Sequence, residues 1–298
     1  MRVANLDGLA SKPMQLKTLS RFTIGRLLVG LWRFKGLKVA KTIFNSVKTS
    51  TILSRPFFGY RLFIEVARTD THRLLYLEGA RFILERRIIS ELVRAGDQVA
   101  DVGANIGYYA LMFSRLTGKS GEITCFEPEP DNLRELYRNV QRNHLKNVKV
   151  NESAVGDSTG ECTFARGLNG TVCENGGGDI VVKMVRLDSV IKHKIDFLKV
   201  DVEGYEGHVL AGAERLIREH RPVMFVEVHP SMLTPQYSVS DIFSFARKFY
   251  SNVEICEVRE SGVRAKILSR YLGRPIIQRT NDPSVALSRK NIFWMICS

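Results

Sequence analysis

The sequence predicts an α/β fold, a doubly wound parallel sheet with helices on both faces. Three observations lead there. From about residue 60, short apolar runs alternate with segments of helical periodicity. A strand, a glycine turn and a helix follow one another in "VADVGANIGYYALMF" (99–113). Acids stand at the carboxyl ends of the candidate strands, at Asp101, Glu127, Asp157, Asp201, Glu203 and Glu227. Alternating strands and helices call for parallel strands covered on both sides, and ligands of such sheets sit at the carboxyl ends.

Each element follows in order. "YRLFIEVA" (60–67) and "RLLYLEG" (73–79) are expected to pair as a short hairpin, with Arg68 to His72 as its turn. "RFILERRIISELVRAG" (81–96) has a helical apolar pattern and stops at Gly96. Gln98–Val102 is apolar and short, a buried parallel strand. After it, Gly103 and Gly107 make a tight turn into a helix from Tyr108, and such a turn gathers backbone N–H groups at one point. Strand 122–127, helix 130–144 and strand 148–156 come next. Residues 157–190 break the rhythm as a β-hairpin or meander with Gly176, Gly177 and Gly178 at its tip. The rhythm returns with strand 195–204, helix 205–220 and strand 221–230. A helix near 239–250, a strand near 253–259 and a last strand, "NIFWMICS", close the chain.

Composition narrows the function classes. A chain of 298 residues can bury a large core, and one domain with appendages is the simplest expectation. Five scattered cysteines and six histidines show no zinc-like spacing, which argues against a structural metal and for reduced thiols in a cytoplasmic protein. Residues 1–60 carry a net charge of +10 and 261–290 one of +6, within a total of +13, so the remainder is near −3. Two basic segments thus flank a mildly acidic body and point to an anionic partner, including a membrane surface. No secretory signal is expected, because Met1 to Met14 lacks an apolar core. "LLVGLW" (27–32) is too short to span a bilayer, which needs ~20 residues. A basic helix over 16–47 lying on the inner membrane face is the expectation to be weighed, although its basic and apolar residues do not separate cleanly.

The glycine turn and the acids define a cofactor. A dinucleotide site wants G-x-G-x-x-G, but Asn105 stands where a pyrophosphate would meet the second glycine. Glu127 lies 24 residues after Gly103, where a carboxylate meets a ribose diol. A phosphate-rich cofactor would want Lys or Arg at these strand ends, and none sits there. A positively charged cofactor with a ribose and no phosphate fits these residues, and S-adenosylmethionine has those features.

"DVGANIGYYAL", "CFEPEPDNLRELYRNV", "VRLDSV", "FLKVDVEGYEGHVLAGA" and "VMFVEVHP", in that order and spacing, resemble the FkbM-type S-adenosylmethionine-dependent methyltransferases over about residues 75–230. The resemblance implies the class I (Rossmann-like) methyltransferase fold, a seven-stranded sheet whose last strand runs antiparallel, and O-methylation of a sugar, glycan or small natural product. It divides the chain into a basic N-terminal extension (1–59) and a methyltransferase domain (60–298). The domain carries the 157–190 hairpin insertion and a basic substrate-side region (231–290). It further implies that Asp101, Gly103, Asn105 and Gly107 line the methionine moiety and that Glu127 holds the ribose. Ser153 and Ala154 would border the adenine with Asp157 nearby, Glu85 would stand ahead of the loop, and Asp201 and Glu203 would face the methyl group.

Transfer to a hydroxyl needs a group that takes its proton. His229, in "EVHP", has the pKa nearest neutrality, so it is the expected base, with Asp201 or Glu203 orienting. His208 falls within a helix and is expected to be structural. A Mg²⁺ site of Asp201, Glu203 and Glu227 is the metal-dependent variant, though no spacing demands it. Methylation of nucleic-acid bases is disfavoured, since Asp-Val-Glu-Gly (201–204) replaces an Asn/Asp-Pro-Pro-aromatic motif. Ribose methylation and a non-enzymatic scaffold with a methyltransferase-like domain remain as alternatives.

Overall fold

The computed structural model describes residues 51–77, 83–166, 170–173, 177–258, 277–282, 284 and 292–298. The expected basic helix at 16–47 and most of the basic stretch 261–290 lie outside these residues. The chain divides into two units, Met1–Leu53 with Ile64–Gly79, and Ser54–Phe63 with Ala80–Ser298.

A two-stranded hairpin comes first, β1 (Ile52–Phe57) and β2 (Tyr60–Glu65). Its two-residue turn, Phe58–Gly59, has positive φ at both positions, as the right-handed twist of paired strands favours. The partner of residues 60–65 is therefore upstream, and residues 73–77 of the strand expected at 73–79 belong instead to helix α1 (Asp70–Leu77). A run of contiguous apolar residues has no decisive period. Thr69 decides it, because its hydroxyl accepts the His72 N–H at 3.2 Å and caps the helix.

The chain continues with α2 (Ile83–Leu92), β3 (Gln98–Val102), α3 (Tyr108–Thr117), β4 (Glu122–Phe126), α4 (Pro130–Arg142) and β5 (Val148–Asn151). Residues 154–185 add β6 (Ala154–Val155), β7 (Gly160–Ala165), β8 (Thr171–Cys173) and β9 (Ile180–Val185). Then come α5 (Leu187–Val190), β10 (Phe197–Val200), α6 (Glu206–Gly212), α7 (Glu214–His220), β11 (Val223–Val228) and α8 (Val239–Phe249). Strands β12 (Val253–Val258), β13 (Ile277–Thr280) and β14 (Phe293–Cys297) finish the order.

The main sheet has the order β13-β12-β14-β11-β10-β3-β4-β5. β11, β10, β3, β4 and β5 are mutually parallel, and β14 runs antiparallel between β11 and β12. The antiparallel last strand is thus where the class I methyltransferase fold places it. The sheet has eight strands rather than seven, because β13 pairs antiparallel with the edge of β12. Arg279 of β13 faces Glu254 of β12 at 3.7 Å and Glu91 of α2 at 3.3 Å. That strand lies within a stretch whose basic charge hides its short apolar run.

Helices cover both faces. On one, Val209, Leu210, Leu216 and Ile217 of α6 and α7 join Ile242 and Phe243 of α8 against Val200, Val226 and Met295. On the other, Ile88 and Ile89 of α2 and Leu111, Met112 and Phe113 of α3 are sealed from solvent. Coverage of both faces explains why β3, β4 and β10 are buried almost throughout rather than at alternate residues. The strand order reverses between β3 and β10, the position at which a cleft opens at the carboxyl ends. The expected meander forms a second sheet, β6-β9-β7-β8.

Candidate active site

A cleft open to solvent lies at that reversal, and its walls include Gly103, Asn105, Glu127, Ser153, Ala154, Asp201 and Glu203. The sequence order that puts one of these residues after each strand is what brings them to one edge. Asp201 and Val102 sit on neighbouring strand ends, tied by the Asp201 N–H to the Val102 carbonyl at 3.1 Å. Val102, Phe126, Val155, Phe164 and Val172 supply apolar wall.

The turn that opens the cleft has no room for a side chain at Gly103. There φ is +79°, and a Cβ would stand 1.9 Å from the Asp201 carbonyl oxygen. Its amides differ from the sequence expectation. Gly103 and Ala104 both donate to the Phe126 carbonyl at 3.0 Å, Asn105 donates to Glu127 Oε2 at 2.8 Å, Ile106 to Asn105 Oδ1 at 2.8 Å and Gly107 to the Ala104 carbonyl at 2.9 Å. All five are satisfied internally, so the turn is no cradle for phosphate, and a cofactor without phosphate suits it.

Glu127 is buried, and its carboxylate also accepts from the Glu129 N–H at 3.0 Å and from Asn132 Nδ2 at 3.2 Å. Three donors leave about one of its four lone-pair sites, on Oε2, for a ligand hydroxyl. Burial pushes its pKa up to about 7, against the pull of those hydrogen bonds. Above the cleft, Phe164, Gly170 and Val172 of the small sheet contribute to the lining. Arg166 ties this sheet to Glu129 (3.1 Å) and Asp131 (2.8 Å), while Thr171 Oγ1 donates to the Glu203 carbonyl at 3.1 Å.

Four expected cofactor residues do not line the cleft. Asp101 is sealed beneath it and paired with Lys199. Gly107 faces Leu136 of α4, whose Cδ1 would be 2.7 Å from an added Cβ. Asp157 turns its carboxylate to His208 Nδ1 at 2.8 Å, and His208 in turn meets Thr234 Oγ1 at 2.9 Å. Glu85 is buried on α2. The histidine expected to be structural is therefore a bridge between the loop after β6 and the loop after β11.

Beyond the cleft the acidic edge has a different organisation from the one expected. The strand ends do contain a lysine. Lys199 Nζ lies 3.3 Å from Asp101 Oδ1 and 3.5 Å from Asp201 Oδ2, and it donates to the Gly103 carbonyl at 3.3 Å. Burial opposes its charge, but Asp101, Asp201 and Glu227 outweigh that and push its pKa upward. His229 is buried with Nε2 at 3.1 Å from Glu203 Oε2 and Nδ1 at 2.9 Å from Glu206 Oε1. Burial disfavours the imidazolium, yet the bond to Glu206 and the charges of Glu206, Glu203 and Asp201 raise its pKa to about 9. In its charged form the imidazole has no lone pair for a proton, and its contacts with Glu203 and Glu206 hold those two carboxylates. Glu227 is pushed up to about 8, by burial first and then by Asp201 and Glu85.

Asp201, Glu227 and His229 each bring a ligand atom to within 4.8 Å of the others. A divalent ion there would need a free lone pair on His229, and both ring nitrogens already face glutamates. Lys199, Glu206 and Asn132 were not distinguishable in the sequence as site residues. Lys199 stands inside an apolar strand run, and the Glu206–His229 contact joins residues 23 apart.

Sheet order, turn and antiparallel last strand together define the class I methyltransferase fold, with a cleft at the carboxyl ends of its strands. A family profile described as "Methyltransferase FkbM domain" matches residues 101–251, half of the chain. The chain belongs to the FkbM methyltransferase family, whose methyl donor is S-adenosylmethionine. It is 28% identical over 164 residues to hexuronic acid methyltransferase AglP of Haloferax volcanii, covering 53% of this chain and 65% of that protein. It is 30% identical over 161 residues to 31-O-demethyl-FK506 methyltransferase FkbM of Streptomyces tacrolimicus, covering 41% of this chain and 61% of that one. The match thus spans less than two thirds of either relative. Among solved structures, a methyltransferase FkbM from Methylobacillus flagellatus superposes with a TM-score of 0.44 at 18% identity, covering 77% of this chain and 56% of that one. Among the described residues, no helix is long and apolar enough to cross a membrane.

The cleft suits the donor. Glu127 has one acceptor site left, which could take a ribose hydroxyl, the 103–107 amides are already used, and Asp201 and Glu203 bring carboxylates to the lining that would suit a cationic ligand.

Proposed function

We propose that this chain transfers the methyl group of S-adenosylmethionine to a hydroxyl of a sugar, glycan or small natural product. The observation that carries the reading is a cleft lined by Glu127 after β4 and by Asp201 and Glu203 after β10, with Glu227 beside Asp201 just outside the lining. The name of one relative, a 31-O-demethyl-FK506 methyltransferase, supports an oxygen acceptor, and that of another, a hexuronic acid methyltransferase, supports a sugar-derived one.

Bound in the cleft, S-adenosylmethionine supplies an electrophilic methyl carbon. The chain's own work is positioning and proton removal. Glu127 orients the ribose end, and the walls from Phe126, Val155 and Phe164 exclude water from the other. Asp201 and Glu203 orient the acceptor, with Glu203 itself fixed by the charged His229. The proton goes to a carboxylate, and Glu227, which ionises as pH rises through about 8 and lies beside Asp201 and His229, takes it. Lys199 and His229 are both ion-paired, so neither is offered to an anionic acceptor.

Calorimetric titration with S-adenosylmethionine, followed by incubation with methyl-labelled donor and a panel of glycosides including hexuronic acid glycosides, tests the reading. Binding and label transfer to an acceptor oxygen are expected. Absence of binding by the wild type would favour the scaffold alternative, and label on RNA alone would favour ribose methylation.

A further inference from the structure

Helix α4 carries Asn139, and Asn143 caps its C-terminal end four residues further on. Asn143 Oδ1 accepts the Arg61 N–H at 2.8 Å, and its Nδ2 donates to the Arg61 carbonyl at 2.8 Å. Asn139 does the same with Phe63, at 2.8 Å from its N–H and 3.0 Å to its carbonyl. The spacing is commensurate, since four helical residues rise about 6 Å and two strand residues about 6.7 Å. Two side-chain amides thus satisfy the free edge of β2 as a neighbouring strand would.

Asn139 has a further bond that Asn143 lacks. Its Nδ2 also donates to the Ile106 carbonyl at 2.8 Å, inside the Gly103–Gly107 turn. Asn139 is fully buried, and both of its N–H groups and its oxygen are used. Ile106 adjoins Asn105, whose N–H holds Glu127. The hairpin also rests on the helix that leaves the turn, with Phe57 and Tyr108 rings 4.3 Å apart and the Tyr60 and Ser114 hydroxyls 3.3 Å apart.

We propose that Asn139 is a positioning residue for the cofactor turn, and that the hairpin segment 54–63, through Phe63 and Asn139, braces the conformation in which Asn105 and Glu127 meet the methyl donor. The inference rests on the reading of this turn as the S-adenosylmethionine site. It makes residues that lie before the matched family domain part of the cofactor site.

The test is the dissociation constant for S-adenosylmethionine of full-length wild type, Asn139→Ala, Asn139→Asp and Asn143→Ala, with melting temperatures taken alongside. Asn139→Asp keeps the acceptor for Phe63 and removes both donors, so it carries the test where the alanine variant does not fold. Both Asn139 variants are expected to bind at least tenfold more weakly, and Asn143→Ala within about twofold of wild type, at comparable loss of melting temperature. Unchanged affinity of the Asn139 variants, or equal weakening by Asn143→Ala, would overturn the coupling alone. Lack of binding by the wild type would overturn the cofactor reading and the coupling with it. A second measurement needs no variant: saturating S-adenosylmethionine should slow hydrogen exchange at the Phe63 amide more than at the Arg61 amide, and equal protection of the two contradicts the brace.

Discussion

Lys199 Nζ lies 3.3 Å from Asp101 Oδ1, with 1% and 0% of the two side chains exposed to solvent. The two residues are register partners on adjacent parallel strands, so the pair is fixed by the backbone of β3 and β10. Burial pushes the Asp101 pKa up while Lys199 pulls it down. Removing one member of such a pair leaves a buried charge without a counter-ion, which costs about 3–5 kcal/mol. Lys199→Met is therefore expected to lower unfolding free energy by about that amount in urea. Lys199→Met with Asp101→Asn should recover a large part of the loss. A near-neutral single variant would show that the pair is not what holds these strand ends.

His229 gives a pH signature. Its folded pKa, near 9, is above the ordinary value near 6.5, because two glutamates hold the charged form. A raised histidine contributes stability that is fully present below the unfolded pKa and is lost as pH rises through the folded one. The unfolding free energy lost on His229→Gln should therefore be larger at pH 6 than at pH 10, with the change between about 6.5 and 9. Nitrogen-15 shifts of the imidazole report the same charge directly. A neutral ring at pH 7 would restore His229 as a candidate base.

Much of this was legible in the chain, and what was not has physical reasons. β3, the glycine turn and Glu127 announce themselves because apolar run, turn and acid are local in sequence. The 70–77 helix did not, since Leu74, Leu75, Tyr76 and Leu77 are contiguous and satisfy either period. His229 was placed at the correct strand end, but its charge state depends on Glu206, which reaches it only once α6 packs beside β11. Lys199 reads as an interruption of a strand, and only register shows that Asp101 is its neighbour. Asn139 carries no local signal at all, for its partners Phe63 and Ile106 are 76 and 33 residues away.

Glu127 should make cofactor binding depend on pH. Its pKa is about 7, set by burial. A ribose hydroxyl donating to the carboxylate favours the ionised form, so binding lowers that pKa and releases protons near neutrality. Affinity for S-adenosylmethionine is expected to rise between pH 6 and 8, and calorimetric heats in buffers of different ionisation enthalpy should show net proton release at pH 6.5. Glu127→Ala should weaken binding about tenfold or more, about 1.4 kcal/mol. Equal affinity across this range would mean that Glu127 does not meet the ligand.

Glu227 bears the proton-transfer step in this reading, and its surroundings set the direction of the effect. Burial comes first, then Asp201 and Glu85 raise its pKa, with His229 and Lys199 opposing, to a value near 8. A general base acts when ionised, so turnover of the acceptor selected by the glycoside panel should rise with pH and level off above about 8. Glu227→Gln is close in shape and cannot take a proton. It should lower kcat by about 100- to 10,000-fold while leaving S-adenosylmethionine affinity within about twofold. The split between the two readouts matters, because Glu227 lies outside the cofactor cleft while its carboxylate reaches within 4.8 Å of Asp201 and His229 ligand atoms. A variant that loses both would assign Glu227 to holding the site together, and one that keeps its turnover would pass the proton to Asp201 or Glu203.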